Sequence, residues 1–368
     1  MSTQCLTVVL LIWVPALSNY SDTMTALNSP IAIPIAGKAR DALLESLWGP
    51  VIPRHFDASF MDSYFTYYSS QARRFLLDGG RHVAVSTHDD VIHLTQTIEQ
   101  DRCWIDLHQD LTNTCMRQGL TDTKIPEISL NLCSRLMLMM DIGEPPNGIQ
   151  GPHTIYWKTG TIREFLNRHF QAEARLQPEN PQIGKLFTAM TLARVGGMKL
   201  VWTRNLADHL RLVDDDRTVY IFDCVSFLEY QKLIQRTVFP PGFIDETLRT
   251  LALLLPQNDT SVQSWVQTQI KDNELDPLLL ECGSLPTHKR RYESFQFWHN
   301  RLVILKQALD DSRPQTMWQW WHDRRNGVQW YTFWVAILVF IVTIFFGLIQ
   351  SLEGALQVYL SWKSLQQG

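Results

Sequence analysis

Residues 330–349 read WYTFWVAILVFIVTIFFGLI, and the Tyr331 phenol is the one ionisable group among them. Twenty residues at about 1.5 Å rise make a helix about 30 Å long, the thickness of a bilayer hydrocarbon core. A helix apolar on every face cannot sit on the surface of a soluble domain. β-Branched residues such as Val335, Ile337 and Ile341 fit the reading, because a backbone in lipid must hydrogen-bond within its own helix. Aromatic rings flank the stretch: Trp318, Trp320, Trp321, Trp330 and Trp334 on one side, Tyr359 and Trp362 on the other. Such amphipathic rings settle at headgroup level, so Trp330, Trp334, Tyr359 and Trp362 are the expected membrane anchors. The lipid bilayer is therefore the first expected partner of a single-pass membrane protein.

Orientation rests on two signals that disagree. Arg313, Arg324 and Arg325 stand within about 20 residues upstream of the span, against Lys363 alone downstream. The positive-inside tendency then places the main domain in the cytosol and the tail across the membrane, with Arg324 and Arg325 as the closest orienting charges. Leu6–Leu17 (LTVVLLIWVPAL), however, has the length of a signal-peptide core, and Ala16 and Ser18 suit cleavage before Asn19. Its leading residues, Met1–Cys5, carry no Lys or Arg. A working signal over Met1–Ser18 would make the main domain lumenal or extracellular and open the sequons at Asn19 and Asn258 to glycosylation. The two signals exclude each other.

Between these ends the chain is long enough for one large domain or two modest ones: 368 residues, of which 45% are apolar and 19% charged. A net charge of -4 gives no basic face for nucleic acid. The six cysteines, at 5, 103, 115, 133, 224 and 282, include no Cys-x-x-Cys pair, and buried free thiols are expected. The expected organisation is an apolar N-terminal segment over 1–18, a lead-in over 19–60 and an α-rich globular region over 61–310. A Trp-rich juxtamembrane linker follows over 311–329, then the span at 330–350 and a short tail over 351–368.

The globular region reads as mainly α with a few short strands, an α+β class. Helices are expected over Ala39–Trp48, after Ser86-Thr87-His88-Asp89 with its capping-box form, and along the stripe Leu130, Cys133, Leu136, Met137, Met140. Thr161 and Glu164 frame another helix start, Asn205–Val213 reads as helical, and so does Asp245–Leu255. Arg81–Val85, Met198–Thr203 and Thr218–Phe222 read as strands. Phe295, Trp298, Leu302, Leu305 and Leu309 alternate spacings of three and four, a two-heptad seam. It serves either packing on the chain's own domain or a protein partner.

Chemistry-bearing motifs are scarce. His88 and His93 lie five apart, a poor fit to the four-residue spacing that aims two imidazoles at one ion, and Asp89 and Asp90 suit the first turn of a helix. Asp208, His209 and Asp214-Asp215-Asp216 could gather carboxylates for Mg²⁺, though a solvated turn explains the triple Asp. His288-Lys289-Arg290-Arg291 is a basic run that would meet solvent or anionic lipid. No nucleophile elbow, P-loop, dinucleotide fingerprint or zinc-protease helix occurs. The sequence points to no catalytic residue, cofactor or metal.

The cassette from Asp323-Arg324-Arg325-Asn326-Gly327 through Trp334, running on to Glu353-Gly354-Ala355-Leu356-Gln357-Val358-Tyr359, resembles the ending of a group of uncharacterised filamentous-fungal membrane proteins. VSTHDDVIHLT from Val85, TRNLADHLRLVDDD from Thr203 and FWHNRLVILKQ from Phe297 are similar to that group too. The resemblance spans roughly residues 60–362 and implies a fungal source and an anchored α-rich domain, but no activity. The group starts without a secretory signal, so Met1–Ser18 departs from it. The expected function is a non-enzymatic accessory or interaction protein, serving a fungal pathway such as secondary metabolism. A membrane-bound enzyme with a dispersed site is one alternative. A divergent CorA-like cation channel subunit is another, although that class has two spans and a Gly-Met-Asn loop.

Overall fold

A computed structural model describes residues 23–51, 59–77, 79–146, 153–171, 175–234, 237–312 and 327–366, with backbone alone for 327–330. Its first half is helical: α1 (Lys38–Trp48), α2 (Asp62–Phe75), α3 (His88–Glu99), α4 (Trp104–Arg117), α5 (Ile125–Leu138), α6 (Ile162–Phe170) and α7 (Ala189–Arg194). Three strands follow, β1 (Lys199–Thr203), β2 (Leu212–Val213) and β3 (Thr218–Phe222), then α8 (Val225–Leu233), α9 (Phe243–Leu254), α10 (Thr260–Asn273) and α11 (His299–Asp311). A last helix, α12, runs from Gly327 to Gln366. The protein is thus an α+β domain, mainly helical, followed by one long apolar helix.

Helix α5 organises the first half, packing against α2, α3 and α4. The expected one-faced stripe is wider in the fold: Leu132 and Leu138 are buried as well, and so are Asn131, Ser134 and Arg135. Full burial of each leucine contributes roughly 2 kcal/mol. Arg135, 1% exposed, is tolerated because each of its three side-chain nitrogens has an acceptor. They reach the Asp141 carboxylate at 2.6 Å, the carbonyls of Ile142 (2.8 Å) and Gly143 (2.5 Å), and Gln71 Oε1 at 3.3 Å. A buried guanidinium without such partners would cost several kcal/mol. Tyr64 and Tyr67 donate their hydroxyls to the carbonyls of Leu136 and Arg135, tying α2 to the same helix end.

Helix starts follow local chemistry. Thr87 caps α3, its hydroxyl taking the Asp90 N–H while the Asp90 carboxylate takes the Thr87 N–H, so the capping box sits one residue beyond the expected Ser86–Asp89 frame. Thr161 and Glu164 form the reciprocal pair that opens α6, as the sequence indicates. Arg81–Val85 is not a strand: Ala84 donates its N–H to Ser129 Oγ at 2.8 Å and Val83 to the Gly80 carbonyl. Val83 and Val85 are still buried, which accounts for the strand-like alternation.

In the second half, β3 lies between β1, parallel to it, and β2, antiparallel. The expected helix over Asn205–Val213 is instead a 3-10 turn (Leu206–Asp208) followed by β2. Leu206, Leu210 and Val213 do recur with helical spacing, but Asn205 Oδ1 claims the Ala207 N–H, Leu210 adopts φ 59°, and the Leu210 N–H goes to the Tyr220 carbonyl. Asp214, Asp215 and Asp216 form the β2–β3 turn with φ of 57°, 52° and 65°. Asp is among the few L-residues that visit this left-handed region.

One continuous hydrophobic cluster joins both halves. Trp48, Tyr64, Phe227 and Tyr230 bring α1, α2 and α8 together, with Tyr64 stacked on Phe227. The heptad seam is used inside this core. Phe295, Trp298, Leu302, Leu305 and Leu309 are all buried, so that face is not open to a protein partner. Glu246 fixes its beginning, accepting the backbone N–H groups of Gln296, Phe297 and Trp298 at 2.7, 2.7 and 2.8 Å, while Trp298 Nε1 donates to Thr247 Oγ1 at 2.9 Å.

Helix α12 behaves differently. The rest of the chain covers none of its most apolar stretch, and Phe340 is 65% exposed. It is the one helix among the described residues long and apolar enough to cross a membrane. It also continues through the expected tail, and its 36 residues from Tyr331 to Gln366 span about 54 Å.

Candidate functional site

On the expected anchor, Trp334 is half-buried beside Phe333, whereas Tyr359 and Trp362 are exposed along α12. The side chain of Trp330 lies outside the described residues. So do Trp318, Trp320, Trp321, Arg313, Arg324, Arg325, Asn19 and the whole of Met1–Ser18. Asn258 is exposed between α9 and α10, its N–H donating to Ser284 Oγ at 3.1 Å. Cys103, Cys115, Cys133, Cys224 and Cys282 are free thiols.

The histidine and acid groups singled out by the sequence do not converge. His88 is buried between Tyr68 OH (2.9 Å) and the Ile33 carbonyl (3.1 Å), and burial lowers its pKa, while His93 is exposed. Asp208 is occupied by Asn205 Nδ2 at 2.9 Å and Arg211 Nη1 at 3.0 Å, while Asp214–Asp216 project from the turn. Among the described residues, no group of three His, Cys, Asp or Glu side chains could hold a metal ion.

His209 points the other way, into the core. Its Nδ1 accepts the Phe222 N–H at 3.2 Å, so the proton sits on Nε2, which donates to Thr250 Oγ1 at 2.7 Å. Burial, reinforced by the Arg301 charge, pushes its pKa down to about 3. Arg301 donates to the carbonyls of Ala207 (2.8 Å) and His209 (2.6 Å) and lies over the Trp298 ring. The segment Asn205–Leu210 is thus a latch between the strands and α9. His169 lies in the same field: burial, then Arg301 and His153, push its pKa down to about 4. Both rings are neutral at pH 7.

The most chemically unusual groups lie where ligands gather in open α/β sheets, past the carboxyl ends of the parallel strands. Asp223 directly follows β3 and donates its N–H to the Thr203 carbonyl at the end of β1. Its carboxylate is 2% exposed, 3.7 Å from Arg204 Nε, and its Oδ1 has no hydrogen-bond partner among the described residues. Burial pushes its pKa up to about 7, with Asp276 adding to the rise and Arg204 opposing it. Asp276 is saturated, accepting the N–H groups of Ser226 (2.8 Å) and Leu278 (3.0 Å). Burial raises the Cys224 thiol as well, which makes it a poor nucleophile. Asp223 can hold one exchangeable proton near neutrality, with a guanidinium beside it.

No protein-family model, curated protein or solved structure matches the chain.

Sequence reasoning did not find Asp223, Asp276, Arg135 or Glu246. Glu246 alone leaves a trace, a carboxylate among Phe243, Thr247 and Thr250 on the buried side of a helix.

Proposed function

We propose that the protein is a membrane-tethered accessory or interaction protein, a folded α+β domain held at a bilayer by α12. The observation that carries this reading is the long apolar helix left uncovered by its own domain. In water, that surface would drive aggregation. The packing of His88, His209, Asp208 and Asp276 into structural hydrogen bonds supports a non-enzymatic role. The charges Arg324 and Arg325 support a cytosolic domain, and resemblance of the C-terminal cassette to fungal membrane proteins supports service in a fungal secondary-metabolite pathway. Alkaline carbonate washing of membranes tests the anchor: the intact chain stays in the pellet, and its release would overturn the proposal. Protease protection with glycosidase treatment of the same membranes fixes the side on which the domain lies. A membrane-bound enzyme is the second reading, favoured by the orphaned oxygen of Asp223.

A further inference from the structure

The basic run His288-Lys289-Arg290-Arg291 divides in the fold. His288, Lys289 and Arg291 face solvent, whereas Arg290 turns inward and is 8% exposed. Among the described residues its only side-chain hydrogen bond runs from Nε to the Leu285 carbonyl at 2.9 Å. No carboxylate of the described residues lies within ion-pair distance of it. Arg135, likewise buried, is answered by four acceptors, and the half-buried Arg301 by two carbonyls and a ring. The rest of the side chain is buried and its Nε is tied down, so two solvent-accessible terminal nitrogens without a partner among the described residues are held in one direction, a geometry suited to a bidentate carboxylate or phosphate.

Those nitrogens border a cavity of about 710 Å³, within the size range of small-molecule sites. Ile183, Tyr292 and Val303 are its buried walls, and Lys185 and Lys306 reach it from either side. Tyr292 is 3% exposed, and its hydroxyl has no partner among the described residues, so a second donor faces the same space. Lys306 pairs with Asp310 on the outer face of α11. The acids Glu179, Asp310 and Asp311 are exposed, whereas the Arg290 side chain is buried up to the terminal nitrogens that reach the cavity. The walls are held from both sides: Ile183 donates to the Arg290 carbonyl at 2.8 Å and Tyr292 to that of Pro181 at 3.2 Å. The guanidinium is therefore positioned before any ligand arrives.

Next to it lies a second hollow of about 310 Å³ that shares Gly184, Lys185, Lys306 and Asp310 with the first. Its own walls are apolar apart from Thr191: Leu186, 53% exposed, with Phe187 and Leu309 buried beneath. A charged chamber opening into an apolar one matches a molecule with an anionic head and a hydrocarbon tail. We propose that this double cavity binds a small anionic amphiphile, its carboxylate or phosphate on Arg290 and Tyr292 and its tail along Leu186, Phe187 and Leu309. The head can belong to a soluble metabolite or to a membrane lipid, because α11 supplies the rim and only residues 312–326 separate it from α12.

The test uses the full chain in phosphatidylcholine nanodiscs and calorimetric titration with hexyl phosphate, hexanoate, inorganic phosphate and hexanol, empty nanodiscs serving as blank. Saturable binding of hexyl phosphate or hexanoate is expected, at least tenfold tighter than inorganic phosphate, with none for hexanol. Arg290→Gln should weaken it by about 10- to 100-fold, the scale of one charge-assisted bidentate contact. Should that variant fail to fold, two exposed positions carry the test. Leu186→Gln should lower affinity for hexyl phosphate but leave inorganic phosphate unchanged, and Lys185→Ala should weaken both. Phosphatidic acid in the nanodisc competes with the probe if the natural head is a lipid's, and leaves it alone if the ligand is soluble. Absence of saturable anion binding, equal binding of hexanol, or affinity untouched by these substitutions would overturn the assignment.

Discussion

Replacing Glu246 tests whether one buried carboxylate holds α11 in place. Its two oxygens accept three backbone N–H groups within 2.8 Å, and all three belong to the bend that leads into α11 at Gln296–Trp298. Each hydrogen bond to a charged acceptor is worth about 1.5–3 kcal/mol on removal. Glu246→Gln keeps one carbonyl oxygen, which can still serve Phe297 and Trp298, and turns an amide N–H₂ toward the Gln296 N–H. One bond is lost and two donors face each other, a cost of about 2–3 kcal/mol. Glu246→Ala strands all three donors, and coupling within the group holds the total to about 4–5 kcal/mol. For a domain of about 290 residues, the Gln variant should melt about 3–5 °C lower. The summed tryptophan fluorescence of the full-length protein kept in nanodiscs, to which fully buried Trp298 contributes, reports the transition. A Gln variant melting within about 1 °C of the parent would refute the reasoning. It would mean that the loop is held by apolar packing alone.

The pH dependence of Asp223 has a definite sign. Its pKa rises from an ordinary 3.8 to about 7 in the fold, so the folded state binds more protons across that window and stability declines as pH climbs through it. Asp223→Asn should therefore melt higher than the parent at pH 8.5 and much the same at pH 4; a lower melting point at pH 8.5 would contradict this. His209 acts in the opposite sense, its stabilisation being present above about 6.5 and lost as pH falls toward 3, so His209→Gln should flatten the acid limb of a melting-temperature profile. Leu302→Ala, at a fully buried seam position, should cost about 2–5 kcal/mol by chemical denaturation. Asp215→Gly should stabilise by up to about 1 kcal/mol, since only glycine takes a φ of 52° without strain; destabilisation there would point to a role for the carboxylate.

Where local chemistry decides, the sequence is readable. Thr161 with Glu164 opens α6 as written, β3 runs over Thr218–Phe222 as expected, and the triple Asp makes a solvated turn. Reading fails where partners come from far along the chain. The spacing of Leu206, Leu210 and Val213 looks helical because nothing local shows that Tyr220 will claim the Leu210 N–H. Arg135 looks like a surface residue until Asp141 and the Gly143 carbonyl close around it. Within His288–Arg291, a histidine and three cations give no sign that Arg290 alone turns inward, a choice made by the pairing of Ile183 and Pro181 with the far side of the loop.

The length of α12 has a consequence for anything anchored by it. About 54 Å of rod set in an oily layer of about 30 Å would need to lean by more than 50° to be submerged, beyond the 0–40° range that such helices adopt. Glu353, one turn past the greasy stretch, resists being drawn inward, so it acts as a waterline that sets how deep the rod sinks. The last three turns or so, from Gly354 to Gln366, are then left beyond the layer or folded down along its surface, presenting Leu356, Tyr359 and Trp362 to the far leaflet.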